Sequence, residues 1–376
     1  MLRLFLIFAT CIFCLQAYAT EYAYNITSGV RVGWNTADKV GIFPVGSTQS
    51  RFDVSSIDNN DNHTATLDGH GKSLKVGIRY LALYPYNYSY YENDDVSTSL
   101  PISFPTLTQT ANGTLSHIAQ SDYMAADITA TSQSLCTLNF DHLNALLRMS
   151  VMVPKDATFR SMTIHSAKAS FITSGTLNLA TRVLTTKTSS ADMVLNIDNV
   201  LVKRGETLTT YCIVPVADLS GQTLTATFET TTGEQYTCSF QGQQMQAGKI
   251  YNIERTLNKA NSAKSSAYPL SPTKGNDSPN VEQHAAARAL AVVKGVVSDF
   301  TLAYSDISYD PLPPDYILGD ANIDGYVNVG DITAVANHIL KRTPAKFDAQ
   351  AADANTDGNI NVGDITKIAN IILKGK

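Results

Sequence analysis

The chain is short of charge, cysteine and tryptophan. Of its 376 residues only 16% are Asp, Glu, Lys or Arg, and there is one Trp. The formal net charge is −5 and no run of Lys or Arg occurs. That argues against a nucleic-acid partner, whose phosphates need clustered cations. Five cysteines are present, of which Cys136, Cys212 and Cys238 lie beyond the first 19 residues. Three is an odd number without a C-x-x-C pair, so neither a disulfide framework nor a thiolate zinc site is indicated. Small buried thiols in strands are the expectation. After residue 19 no apolar run reaches the length of a membrane-spanning helix. G-x-S-x-G, H-E-x-x-H, the P-loop and a G-x-G-x-x-G after a strand are all missing, so the chain is not expected to be an enzyme.

What is present begins with export. Arg3 precedes an apolar stretch over residues 4–13, and Ala17-Tyr18-Ala19 offers small residues at both positions a signal peptidase requires. Residues 1–19 read as a cleaved signal peptide, which implies a secreted or cell-surface protein. Phe13 stands before Cys14, where a lipoprotein signal needs a small residue.

Hydrophobic residues make up 44% of the chain, enough for globular cores. From residue 20 to 257 short apolar, β-branched or aromatic runs alternate with polar turns. Residues 76–84 (VGIRYLALY) and 146–153 (LLRMSVMV) have strand length and composition. Residues 223–229 and 235–240 alternate in polarity around Thr231-Thr232-Gly233-Glu234, as a hairpin does. Short strands punctuated in this way suggest β-sandwiches. Residues 258–280 then turn to Ser, Lys, Asn, Pro and Gly, the composition of a flexible linker. Residues 282–293 are alanine-rich and could form a helix, while residues 292–302 are β-branched and could form a strand; the pattern leaves both open. Pro311, Pro313 and Pro314 stop any helix ahead of the last module.

That module is a repeat with an offset of 33 residues, GDANIDGYVNVGDITAVANHILK followed by ADANTDGNINVGDITKIANIILK. Each copy holds a 12-residue loop. In the first, Asp320, Asn322 and Asp324 stand at positions 1, 3 and 5, Tyr326 offers a carbonyl at 7, and Asn328 and Asp331 stand at 9 and 12. Asp353, Asn355, Asp357, Asn359, Asn361 and Asp364 take the same places in the second. Alternate residues of a tight loop can surround a hard cation with oxygens, and Ca2+ takes about six to eight of them at about 2.3–2.6 Å. Gly325 and Gly358 occupy position 6, where the loop turns sharply. Two calcium ions are therefore expected. A helix should follow each loop, because Ile332, Val335, Ala336, Ile339 and Leu340, and again Ile365, Ile368, Ala369, Ile372 and Leu373, fall on one helical stripe. So small a module has little core, so calcium should supply much of its folding free energy.

Residues 318–376 resemble a dockerin domain, the calcium-loaded plug that joins proteins to cohesin-bearing scaffolds. The resemblance implies a cohesin-like domain or surface scaffold as partner, with positions 10 and 11 of each loop at the contact. Those positions are Val329-Gly330 and Val362-Gly363, where clostridial dockerins often carry Ser-Thr. That departure bears on the identity of the cohesin, not on the calcium loops.

The preceding half resembles the fimbrillin family of Bacteroidetes surface proteins. The stretches that carry the likeness include Trp34 with Asp38-Lys39-Val40-Gly41-Ile42-Phe43, the run from Tyr80 to Tyr86, Tyr123-Met124-Ala125-Ala126, the run from Leu138 to Leu147, Tyr211-Cys212-Ile213-Val214-Pro215, and Ala247-Gly248-Lys249-Ile250-Tyr251. The resemblance implies a mainly β chain with two transthyretin-like β-sandwich domains, 20–134 and 135–257. A linker over 258–317 and the small α-helical calcium module, 318–376, would follow. It also implies a non-catalytic adhesin or structural subunit, tethered through a calcium-dependent dockerin–cohesin contact and able to meet a host or glycan ligand. The alternative is a carbohydrate-binding accessory of a cellulosome-like complex that degrades polysaccharide. His142 has only adjacent Asp141 as a carboxylate neighbour in sequence and reads as structural. Trp34, Tyr84 and Tyr86 could stack sugars but read better as packing. Tyr88-Ser89-Tyr90-Tyr91, set among polar residues, is the preferred binding loop.

Overall fold

The structure is a computed structural model and describes residues 21–58, 61–90, 97–131, 135–260, 292–310 and 316–374. The expected signal peptide lies outside these residues, as does most of the alanine-rich segment. The chain forms two compact units, Met1–Asp310 and Pro311–Lys376.

Among its described residues the first unit is built of strands, with two short 3-10 turns at Tyr88–Tyr90 and Ser116–Gln120. A closed barrel runs in the order Leu135–His142, Val292–Val297, Asp61–Asp68, Ser50–Asp58, Lys39–Pro44, Arg79–Tyr84 and Met124–Thr129. Its core gathers on Trp34, which is fully buried. Tyr84 and Phe140 meet that ring edge-on at 5.8 and 5.5 Å, and its Nε1 donates to the Gly295 carbonyl at 3.0 Å. A Cβ at Gly295 would stand 3.0 Å from the indole and 3.2 Å from Leu67, which explains a glycine inside a strand here.

A six-stranded sheet lies between this core and a second one. Its order is Glu21–Asn25, Gly29–Gly33, Phe300–Ser308, Lys249–Thr256, Asn144–Met152, Thr207–Pro215. Leu146, Ile213 and Ile250 face the Trp34 core, while their neighbours Leu147, Val214 and Tyr251 face the other. A sheet buried on both faces needs apolar residues at successive positions. In LLRMSVMV the alternate residues Leu147, Met149, Val151 and Val153 face the second core, and Leu146 faces the first. The second core is closed by the sheet Asn258–Lys259, Gln235–Gln241, Thr223–Thr230, Ala157–His165, Asp192–Val202, Leu107–Gln109, packed around Phe159 and Phe228. The expected hairpin lies here, with Leu224 opposite Phe240 and Ala226 opposite Cys238.

The strands refine the expectations at one point and differ from them at three. The strand expected over 76–84 begins at Arg79, and Val76 and Ile78 are exposed. Of the segment left open between helix and strand, Val292–Val297 and Phe300–Ser308 are strands, one in the barrel and one in the shared sheet. The linker expected from residue 258 also starts late, since Asn258–Lys259 still pairs with Tyr236 and Thr237. The sheets cross the boundary expected at residue 134: Leu135–His142 closes the barrel, and Glu21–Asn25 belongs to the shared sheet.

The second unit holds helices α1 (Val329–Ile339), α2 (Ala349–Ala352) and α3 (Val362–Lys374). Its core cluster is Ala321, Ala334, Val335, Ala352, Ala354 and Ile368, and Ala351 is buried as well. The packed stripe is narrower than expected. Ile332, Ile339, Ile365 and Ile372 are only partly buried, while Leu340 and Leu373 are 65% and 68% exposed. Leu340 caps α1 where the chain turns off through Lys341 at φ 62°, and Leu373 lies in the last turn of α3. A core made largely of alanine buries little apolar area, so packing alone stabilises this unit weakly.

Candidate calcium loops

The repeat places its two loops ahead of α1 and α3, and they match bond for bond. The Asp320 carboxylate accepts from the backbone N–H groups of Asp324 at 3.1 Å and Gly325 at 2.9 Å. Asp353 accepts from Asp357 at 3.1 Å and Gly358 at 2.8 Å. At position 12, Asp331 accepts from Asn322 N at 3.1 Å and Asn328 N at 2.8 Å, and Asp364 accepts from Asn355 N and Asn361 N at the same two distances. The Asn328 and Asn361 side chains cap the helices, each accepting from the glycine two residues on at 2.7 Å. Gly325 and Gly358 hold φ of 87° and 83°, the left-handed conformation a side chain would strain. The loops differ at position 7: the Tyr326 side chain is 75% exposed, and Asn359 stands in its place in the second loop.

All twelve expected ligand residues are thus gathered into two small oxygen-rich turns. Asp331 and Asp364 are fully buried, though acids rarely are without a partner. Burial pushes the Asp331 carboxyl up, and the charges of Asp320 and Asp324 act in the same direction against the two backbone N–H groups it accepts from. The Asn322 amide and the Tyr326 N–H hold exposed Asp324 below the usual carboxylate range. The Asn359 N–H and the Asn355 amide do the same for Asp357. Among the described residues no group of three His, Cys, Asp or Glu side chains is gathered as a metal site. The donors here are carboxylates interleaved with amide and carbonyl oxygens, a hard set suited to Ca2+ and not to zinc. Of the expected contact residues, Val329 and Val362 open the helices and are 67% and 65% exposed, each followed by its glycine.

The fimbrillin-like family model matches residues 26–268. The chain belongs to the fimbrillin-like family. A dockerin type I domain matches residues 318–373, and such domains bind calcium. Among solved structures, a putative cell adhesion protein from Bacteroides ovatus is 15% identical. It covers 65% of this chain and 97% of its own, at a TM-score of 0.43. A putative cell adhesion protein from Bacteroides uniformis is 16% identical over 59% and 87%, at 0.40. A fimbrial protein from Bacteroides vulgatus is 7% identical over 59% and 90%, at 0.32. No curated protein matches the chain. Among the described residues no helix is long and apolar enough to cross a membrane.

The other candidates sort by burial. His142 is buried, and its partner is Asp122 rather than adjacent Asp141. Asp141 instead accepts from Arg182 at 2.6 Å. The His142 ring stacks on Phe300 with centroids 3.7 Å apart, and its Nε2 donates to the Ser298 carbonyl at 2.9 Å. Trp34 and Tyr84 are core residues. Tyr86 and Tyr88 meet edge-to-face at 4.8 Å in a surface loop, Tyr90 is buried, and Tyr91 lies outside the described residues. Cys136, Cys212 and Cys238 are buried, and among the described residues none of them forms a disulfide.

Proposed function

We propose that this fimbrillin-like chain is an exported, non-catalytic cell-surface adhesin or structural subunit. Its C-terminal unit tethers it through calcium-dependent binding to a cohesin-like domain of a surface scaffold. The duplicated loop supports this reading most strongly: two oxygen-rich turns with the same backbone bonds, each opening a helix, in a unit with little apolar core. In this reading each loop holds one calcium ion. Asp320, Asn322, Asp324, Tyr326, Asn328 and Asp331 serve the first, and Asp353, Asn355, Asp357, Asn359, Asn361 and Asp364 the second. When bound, calcium supplies the positive charge against which these carboxylates can crowd. The residues then fix how each helix begins, and so how Val329-Gly330 and Val362-Gly363 are presented. Two exposed valines call for an apolar patch on the partner rather than hydrogen-bonding groups.

The test uses the full chain, immobilised and exposed to surface and secreted fractions with calcium or with EDTA. The expected result is a partner carrying a cohesin-like domain, retained in calcium and released by EDTA. Retention that is indifferent to EDTA, or no such partner despite tight calcium binding, sinks the tether.

A further inference from the structure

The loop after the strand Arg79–Tyr84 carries aromatic rings at the surface and holds them rigidly. Tyr88 is 56% exposed and leans edge-to-face on Tyr86. The Tyr86 N–H donates to the Lys39 carbonyl at 3.0 Å, and buried Gln49 donates to the Asn87 carbonyl at 2.9 Å. The Asn87 side-chain oxygen accepts from both the N–H and the hydroxyl of Ser89, at 2.9 and 2.7 Å. Arg51 donates to the Tyr88 hydroxyl at 3.3 Å and is itself fixed by Asp53, which also meets His70 at 2.9 Å. Fixing an exposed ring costs conformational entropy without burying it. An immobilised ring of this kind is pre-organised for a ligand.

Beside the loop lies a cleft of about 420 Å3, within the range of small-ligand sites, roughly 300–1,000 Å3. Its walls bear Tyr86, Tyr88 and Tyr123, and Gln120 stands at its edge. Backbone groups offer little: Tyr86 N and Asn87 O are already paired, so an extended peptide has no ladder to join. Charge offers little either. Asp38 is buried, accepting from Asn35 N at 2.8 Å and the Tyr84 hydroxyl at 3.0 Å, and Arg51 is paired. What the cleft presents is aromatic rings and the amide of Gln120, with Lys39 also in its lining. Aromatic faces carry negative charge density and attract the weakly positive C–H edges of a sugar ring, while amides bond its hydroxyls.

We infer that this cleft binds a saccharide, with Tyr88 as the stacking face and Gln120 as a hydroxyl-binding group. The inference deepens the adhesin reading and rests on it for its biological sense, but the binding itself does not depend on the calcium loops.

The test presents full-length protein to an array of neutral and acidic oligosaccharides and titrates the tightest-bound one by calorimetry. Tyr88→Ala should weaken binding roughly tenfold, the loss of one stacked ring. Tyr88→Phe should keep it, and Gln120→Ala should weaken it at an unchanged melting temperature. Leu201→Ala, an exposed position on the strand Asp192–Val202 away from the cleft, should change nothing. The inference fails if no oligosaccharide binds, if Tyr88→Ala and Gln120→Ala both bind as wild type, or if Leu201→Ala loses as much. Calcium-dependent capture of the cohesin-like partner, measured on the same variants, should be unaltered. Failure of the tether and failure of the cleft are thereby told apart.

Discussion

His142 Nδ1 lies 2.8 Å from Asp122 Oδ1, and neither side chain is exposed to solvent. The Tyr22 hydroxyl donates to the other oxygen of Asp122 at 3.0 Å, and His142 Nε2 reaches the Ser298 carbonyl. Segments from four distant parts of the chain meet in this one network. Removing one partner leaves a buried polar group unsatisfied. His142→Ala should therefore destabilise the first unit by about 3–5 kcal/mol, and Asp122→Ala by a similar amount. Chemical denaturation of each variant measures this; a change below about 1 kcal/mol would show that the network matters little.

Calcium removal should act on one unit and spare the other. In EDTA the far-ultraviolet helical signal should fall, because α1 and α3 lose the fixed loops that start them. The β signal and the main unfolding transition should stay. Asp331→Ala should remove the response of the first loop alone, leaving half of the bound calcium.

Acid should weaken the cluster behind Tyr88. Burial works to raise the Asp53 carboxyl, but hydrogen bonds from Arg51 and His70 outweigh it and hold the group below its usual value. A carboxyl lowered on folding contributes stability above its unfolded value, about 4, and loses that contribution as pH falls through its folded value. Asp53→Asn should flatten that part of the pH–stability curve below about pH 5. Melting curves from pH 3 to 7 read the difference.

The thiols should be inert in the folded protein. Burial alone pushes Cys212 up to about 12, and it does the same to Cys238, also to about 12, against the opposing Arg255 charge. A thiol so rarely ionised reacts slowly. Native protein at pH 8 should resist a thiol reagent, and all three cysteines should react once guanidinium unfolds it.

A chain ending at residue 291 should lose its barrel. Val292–Val297 pairs in parallel with Leu135–His142 and antiparallel to Asp61–Asp68, so its removal opens the ring and exposes Trp34. Such a chain should show a red-shifted tryptophan emission and a broad, poorly cooperative melt.

Legibility followed locality. The calcium loops were readable because every donor lies within twelve residues of its partners and the pattern occurs twice. The hairpin around Gly233 was readable because its strands are adjacent. Asp122 was missed as the partner of His142 because the pairing is made by the fold, across 20 residues with no spacing rule. The run LLRMSVMV announced a strand, but not that its two faces serve two cores; that depends on what lies beyond each face. Leu340 and Leu373 misled for a related reason. Periodicity places them on the apolar stripe, but the small unit that holds them has too little chain to cover the ends of its helices.

The corner at Ser298–Phe300 passes the chain from the barrel into the shared sheet, so both cores wait for the same late segment. A polypeptide that emerges with its N-terminus first will have made six barrel strands and most of the shared sheet before the strand that closes either exists. Strands that await a distant partner fold slowly and expose unpaired edges in the meantime. On the proposed export of the chain, this delay is useful. Completion of the first unit is deferred until the last quarter of the protein begins to arrive, by which time its other strands have already emerged.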